Sequence, residues 1–104
     1  MVYGGEKYEK KRVGVDSYTD PEGHISPLSI TWSNGQIYKI TFSTDEGMKP
    51  CEHLDEYAHR WLIDIQKNKR YLYKDKIGWF VEIKSKDHGD TGKWPPTPLW
   101  DPEA

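Results

Sequence analysis

Cys51, His53 and His59 are the side chains best suited by type to do chemistry, and they lie within nine residues of one another. A thiolate and two imidazoles are zinc donors, and His24 and His88 lie further off in the chain. Structural zinc takes four ligands, mostly from paired spacings such as C-x-x-C or H-x3-5-H. Cys51-Glu52-His53 is not such a pair, and His53 to His59 is too wide for one, so no metal site is expected. A lone Cys with His elsewhere is also the minimum for a thiol nucleophile. Nothing around Cys51 supplies an oxyanion hole, because neither a Gly-rich turn nor a strand-to-helix elbow is present. No carboxylate pair stands out for acid–base work, and no Gly-rich loop could cradle a phosphate. The sequence therefore predicts a non-enzymatic protein without a cofactor.

Binding chemistry is better represented. Tyr71 and Tyr73 alternate on one segment, with Lys69, Arg70 and Lys74 around them. Aromatic faces that stack bases beside cations that hold phosphates are the means of binding single-stranded nucleic acid. The competing reading makes both tyrosines core residues packed on Trp79, and acidic segments elsewhere would repel a phosphate backbone. A protein partner, or a second copy of the chain, recognised through an aromatic sheet face is the favoured expectation, with nucleic acid as the alternative. The residues expected to carry it are Tyr71, Tyr73, Trp79, Lys69, Arg70 and Lys74, joined by Trp94 and Trp100. Those two tryptophans bracket Pro95, Pro96 and Pro98, which favour the extended polyproline II form. Trp is costly to leave in water, so this tail is expected to dock on the sheet of its own or a neighbouring copy.

Composition bounds the rest. The chain has 104 residues, enough for one domain, and a net charge of -2. Leu, Ile, Val and Phe are sparse, but five Trp and seven Tyr supply burial area, so the core should be thin and aromatic. No apolar run approaches the roughly 20 residues of a membrane span. The first residues lack a secretory pattern and the single Cys implies no internal disulfide, so a cytoplasmic location is expected. Charge is blocked: Lys67, Lys69, Arg70, Lys74 and Lys76 lie in one segment, and Asp45, Glu46, Glu52, Asp55 and Glu56 in another. Such blocks read as solvated surfaces that attract each other.

These residues must be positioned by strands. The pattern predicts a mainly β fold of five to six antiparallel strands, in a small barrel or strongly curled sheet, with one short helix over 52–59. Residues 1–10 read as a loose start, 11–86 as the β-rich domain and 87–104 as the tail. Asp20-Pro21-Glu22-Gly23 is a turn. Leu28, Ile30 and Trp32 share one face of a strand, and Tyr38, Ile40 and Phe42 one face of the next. Matching those faces requires a three-residue loop, Ser33-Asn34-Gly35, with Gly35 at positive φ. Residues 54–65 fit both helical and strand periods, which a helix followed by a strand over 60–66 reconciles. The most informative stretch runs from Arg70 to Lys84. It reads as a hairpin with Tyr73 opposite Trp79 across a five-residue loop, Arg70 opposite Glu82, and apolar residues on both faces. Two apolar faces need two covers.

The segments Ser26-Pro27-Leu28-Ser29-Ile30-Thr31-Trp32-Ser33-Asn34-Gly35-Gln36-Ile37-Tyr38-Lys39-Ile40, Arg60-Trp61-Leu62-Ile63-Asp64-Ile65, Arg70-Tyr71-Leu72-Tyr73 and Trp79-Phe80-Val81-Glu82 resemble a pattern shared by a group of small uncharacterised bacterial β-rich proteins. That pattern is P-x-x-I-x-W-x-[DN]-G-x-x-Y-x-I, then an R-[YW] strand, Y-L and W-F-V-E. The group usually has Gly-rich residues before the R-[YW] strand, where this chain has Glu52-His53-Leu54-Asp55-Glu56-Tyr57. The resemblance implies a small barrel or curled sheet and supplies no activity.

Overall fold

A computed structural model describes residues 7–84. Eight strands follow one another: β1 (Tyr8–Arg12), β2 (Gly14–Thr19), β3 (Ile25–Thr31), β4 (Ile37–Lys39), β5 (Phe42–Pro50), β6 (Tyr57–Ile65), β7 (Asn68–Lys74) and β8 (Trp79–Lys84). They form two antiparallel sheets, one in the order β1-β8-β7-β6-β5 and the other β2-β3-β4. The mainly β expectation holds, but there are eight strands rather than five or six. No helix occurs among the described residues. Residues 51–56 are loop, and the apolar pattern beyond them is a strand, because Trp61, Ile63 and Ile65 alternate into the core. Tyr8 to Lys10 belong to β1, which pairs with β8 along its whole length.

The two sheets are joined by chain corners. Val13 alone separates β1 from β2, and Ile40 and Thr41 separate β4 from β5. Two strands thus pass from one sheet to the other, and the strand order returns on itself without closing a barrel. One core fills the space between the sheets. Ile30, Trp32, Tyr38 and Ile40 come from one side, and Trp61, Ile63, Ile65, Leu72, Val81 and Ile83 from the other.

Turn chemistry sets the registers. Ile30 pairs with Tyr38 and Thr31 with Ile37, which leaves the expected loop Ser33-Asn34-Gly35 with Gly35 at φ 89°. Asn34 Oδ1 accepts the Gln36 N–H at 2.9 Å and steadies it. The β7–β8 hairpin differs from expectation. Tyr73 lies opposite Phe80 and Lys74 opposite Trp79, one residue off the anticipated register. Asp75 causes this. Its N–H donates to the Gly78 carbonyl at 3.0 Å, and its Oδ1 accepts from the N–H groups of Ile77 and Gly78. A turn with Lys76 and Ile77 at its centre results, and Arg70 loses its place opposite Glu82.

Two bulges re-aim side chains. Asp16 pairs with Ser29 but Ser17 with Pro27, so Leu28 is the extra residue of β3. Asp45 pairs with Trp61 but Gly47 with Arg60, so Glu46 is the extra residue of β5. Gly47 at φ 74° accommodates the second, as a left-handed residue in a bulge should.

Candidate functional site

The face expected to be an open aromatic surface is covered. Tyr73 and Phe80 stack at 5.3 Å between ring centroids and are fully buried with Cys51 and Ala58. Leu54 and Tyr71 pack against them. The lid is the loop 51–56, which crosses this outer face between β5 and β6. Hydrogen bonds and a ring stack seat it. The Tyr73 hydroxyl accepts the Glu52 N–H at 3.1 Å and donates to Glu82. The buried Glu82 carboxylate accepts the His53 N–H at 2.8 Å. Tyr8 stacks on the His53 ring at 3.8 Å.

The electrostatics of this covered face follow from burial. Burial pushes the Glu82 carboxyl above its ordinary value, and the His53 N–H opposes that only in part. Burial likewise raises the Tyr73 phenol. The Cys51 thiol is pushed up to about 11 by burial and by the nearby Glu82, so it is not a thiolate at neutral pH. At the rim, Asp75 takes Arg12 at 2.8 Å and Lys10 at 2.9 Å, which hold its carboxyl well below the usual range. Lys10 also meets Glu56 at 2.7 Å and lies over Phe80. The acidic segment is met by Lys10 at Glu56 and, through a 2.7 Å pair with Glu46, by Arg60.

The candidate residues are scattered by this arrangement. Arg70 and Tyr73 are fully buried. Tyr71 is half-buried under the Arg60 guanidinium, 4.3 Å from its ring. Trp79 is half-buried on the opposite face, 4.8 Å from Trp61. Lys74 lies over Trp79, and Lys69 is exposed. Within 69–74 the exposed Lys69 and half-buried Tyr71 lie on one face and Lys74, over Trp79, on the other. Trp94 and Trp100 lie outside the described residues. The metal candidates are also parted: His59 pairs with Asp45 at 2.6 Å, and His24 with Asp20 at the β2–β3 turn. Glu52, His53 and Glu82 bring donor atoms within 4.8 Å of one another. Glu82 accepts the His53 N–H and the Tyr73 hydroxyl, so within this group it ties the loop to β7 and β8.

An exposed apolar groove lies elsewhere, at the corner where β4 becomes β5. An open groove there is lined by Ser26, Pro27, Leu28, Ile40, Phe42 and Ser43. Leu28 and Phe42 stand out from its walls, 50% and 59% exposed. Both belong by pattern to core stripes. The bulge turns Leu28 out and Pro27 in, and the passage between sheets turns Phe42 away from Tyr38 and Ile40. Beside the groove the ladder between β3 and β4 stops. It runs from Thr31 to Ser29, and the Ile40 N–H then reaches the Leu28 carbonyl at 2.9 Å. The start of β3 has no strand on that side among the described residues. Pro27 was the available signal, since Pro within a strand marks a bulge or an edge. Nothing in the sequence marks Phe42. No family model, curated protein or solved structure matches the chain.

Proposed function

We propose that this protein is a non-enzymatic binding module that receives an extended, apolar protein segment in the groove between β3 and β5. The observation that carries this reading is the exposure of Leu28 and Phe42 side by side. Two residues patterned for the core stand in water at the corner where β4 passes into β5. Positions where an otherwise consistent pattern breaks are where function is to be sought. The aromatic face is already covered by the chain, and the far half of β5 is blunted by Asp45, Glu46, Lys49, Pro50 and a bulge, as protected edges are. The groove is small and apolar with hydroxyls at its rim, which suits a segment a few residues long rather than a second folded surface.

The test is a selection of ten-residue peptides on the purified protein, followed by titration of those that bind. Leu28→Asp and Phe42→Asp should each weaken binding at least tenfold. Ile77→Asp, at a still more exposed apolar residue on the β7–β8 turn, should not. Binding indifferent to Leu28 and Phe42, or equally lost with Ile77→Asp, removes the groove from consideration.

A further inference from the structure

We infer that the groove's occupant is the chain's own segment Trp94-Pro95-Pro96-Thr97-Pro98-Leu99-Trp100, docked within the same molecule. This rests on the groove reading above and names its ligand.

Reach is the first argument. β5 to β8 are successive antiparallel strands, so the start of β5, the end of β6, the start of β7 and the end of β8 lie at one end of the sheet. The described chain therefore stops, at Lys84, on the side where Phe42 begins β5. Three interstrand steps separate them, about 15 Å at the usual spacing. β7 and β8 pair only next to their turn, so the span is somewhat larger. Nine residues, 85–93, precede Trp94 and can extend about 30 Å. The segment reaches the groove without strain, and the tether keeps it at a local concentration of order millimolar.

Chemistry is the second argument. The groove is not a straight sheet edge, because the Leu28 bulge and the passage at Ile40 and Thr41 break its backbone. It offers side chains: Leu28, Ile40 and Phe42 for apolar contact, and the Ser26 and Ser43 hydroxyls as donors. Three prolines remove three amide donors that a strand ladder would need, yet proline favours an extended form whose carbonyls could meet such hydroxyls. Its two tryptophans and Leu99 supply the apolar contact. The sheet's other apolar face is no competitor, since loop 51–56 fills it.

The experiment compares amide NMR spectra of the full chain and of a chain ending at Lys86. Removal of the tail should shift the amides of Ser26, Leu28, Phe42 and Ser43. A synthetic peptide of residues 90–104 should reverse those shifts saturably. The peptide should bind the full chain at least tenfold more weakly, because the attached segment competes. Phe42→Asp and Leu28→Asp in the full chain should each reproduce the spectrum of the shortened chain around the groove. Both residues are exposed, so neither change threatens the fold. Unmoved groove amides, or shifts confined to another face, overturn the proposal. Groove shifts that vanish on dilution, with a dimeric mass, would place a second copy's tail there and overturn docking within one molecule. If the selected peptides bind the groove while tail removal changes nothing, the module reading stands and this assignment of its ligand falls. If nothing binds the groove, both fall.

Discussion

Glu82 is a buried acid that seats a loop, and its carboxyl titrates above the ordinary value because burial disfavours the charge. The folded state therefore binds the proton more tightly than the unfolded chain does. The stability linked to this group is fully present below its ordinary value of about 4.5 and is lost as pH rises through the raised one. The wild-type melting temperature, measured against Glu82→Gln, should accordingly climb as pH falls from 7 towards 4. A constant difference would show that Glu82 titrates as if exposed. Asp75 has the opposite sign. Hydrogen bonds from Arg12 and Lys10 depress its carboxyl, so its contribution is present above its ordinary value of 3.8 and is lost in stronger acid. Asp75→Asn keeps an acceptor for the turn and should flatten the unfolding limb below pH 4. Asp75→Ala also removes the acceptor for the Ile77 and Gly78 N–H groups and should cost about 2 kcal/mol in urea unfolding at neutral pH. Most of that belongs to the turn, because the ion pairs are partly in water and screened.

Turns and corners decide what each strand presents. The β3–β4 loop was legible because two apolar stripes admit only one loop length if both are to be buried. Gly35, at positive φ, follows from that, and Gly35→Val should destabilise by about 1 kcal/mol or more. The β6–β7 turn was only half legible. It centres on Gln66 and Lys67, at φ 53° and 68°, where neither side chain is the residue such a turn prefers. Lys67→Gly should raise stability by about 0.5–1 kcal/mol, and an unchanged urea midpoint would mean the turn carries no strain. The β7–β8 register was misread because Asp75 closes its turn through a side chain, a local bond that hydrophobic pattern does not report. Residues 52–59 were misread as helix for a related reason. Leu54 and Tyr57 fall at helical spacing with Trp61, yet Leu54 packs on the outer face and Trp61 in the core. Of the site, the apolar stripes were visible, but not the bulge that expels Leu28 or the corner that expels Phe42. Both are consequences of how two sheets share one chain.

At the scale of the whole molecule, two separately hydrogen-bonded sheets depend on one core. The three-stranded sheet has only a three-residue strand at one edge and could not stand alone, since small isolated sheets are marginal in water. Its Trp32 is buried against residues of the larger sheet, whose Trp61 reaches back through its indole N–H to the Ile25 carbonyl at 3.0 Å. The barrel expected from sequence would have bound the sheets by backbone ladders on every side. Here the side chains of the shared core do that. Unfolding should then be a single transition in which both sheets melt together. Trp61→Ala should cost about 3–5 kcal/mol and Trp32→Ala a similar amount, while the half-buried Trp79→Ala should cost about 2–3. In each variant, tryptophan fluorescence and far-ultraviolet circular dichroism should give one midpoint. Separated midpoints would show that the three-stranded sheet unfolds first and that the core is two cores. Native-state hydrogen exchange gives the complementary reading: the Leu28 and Phe42 amides beside the groove should exchange by local opening, and those of Ile63 and Leu72 only by global unfolding.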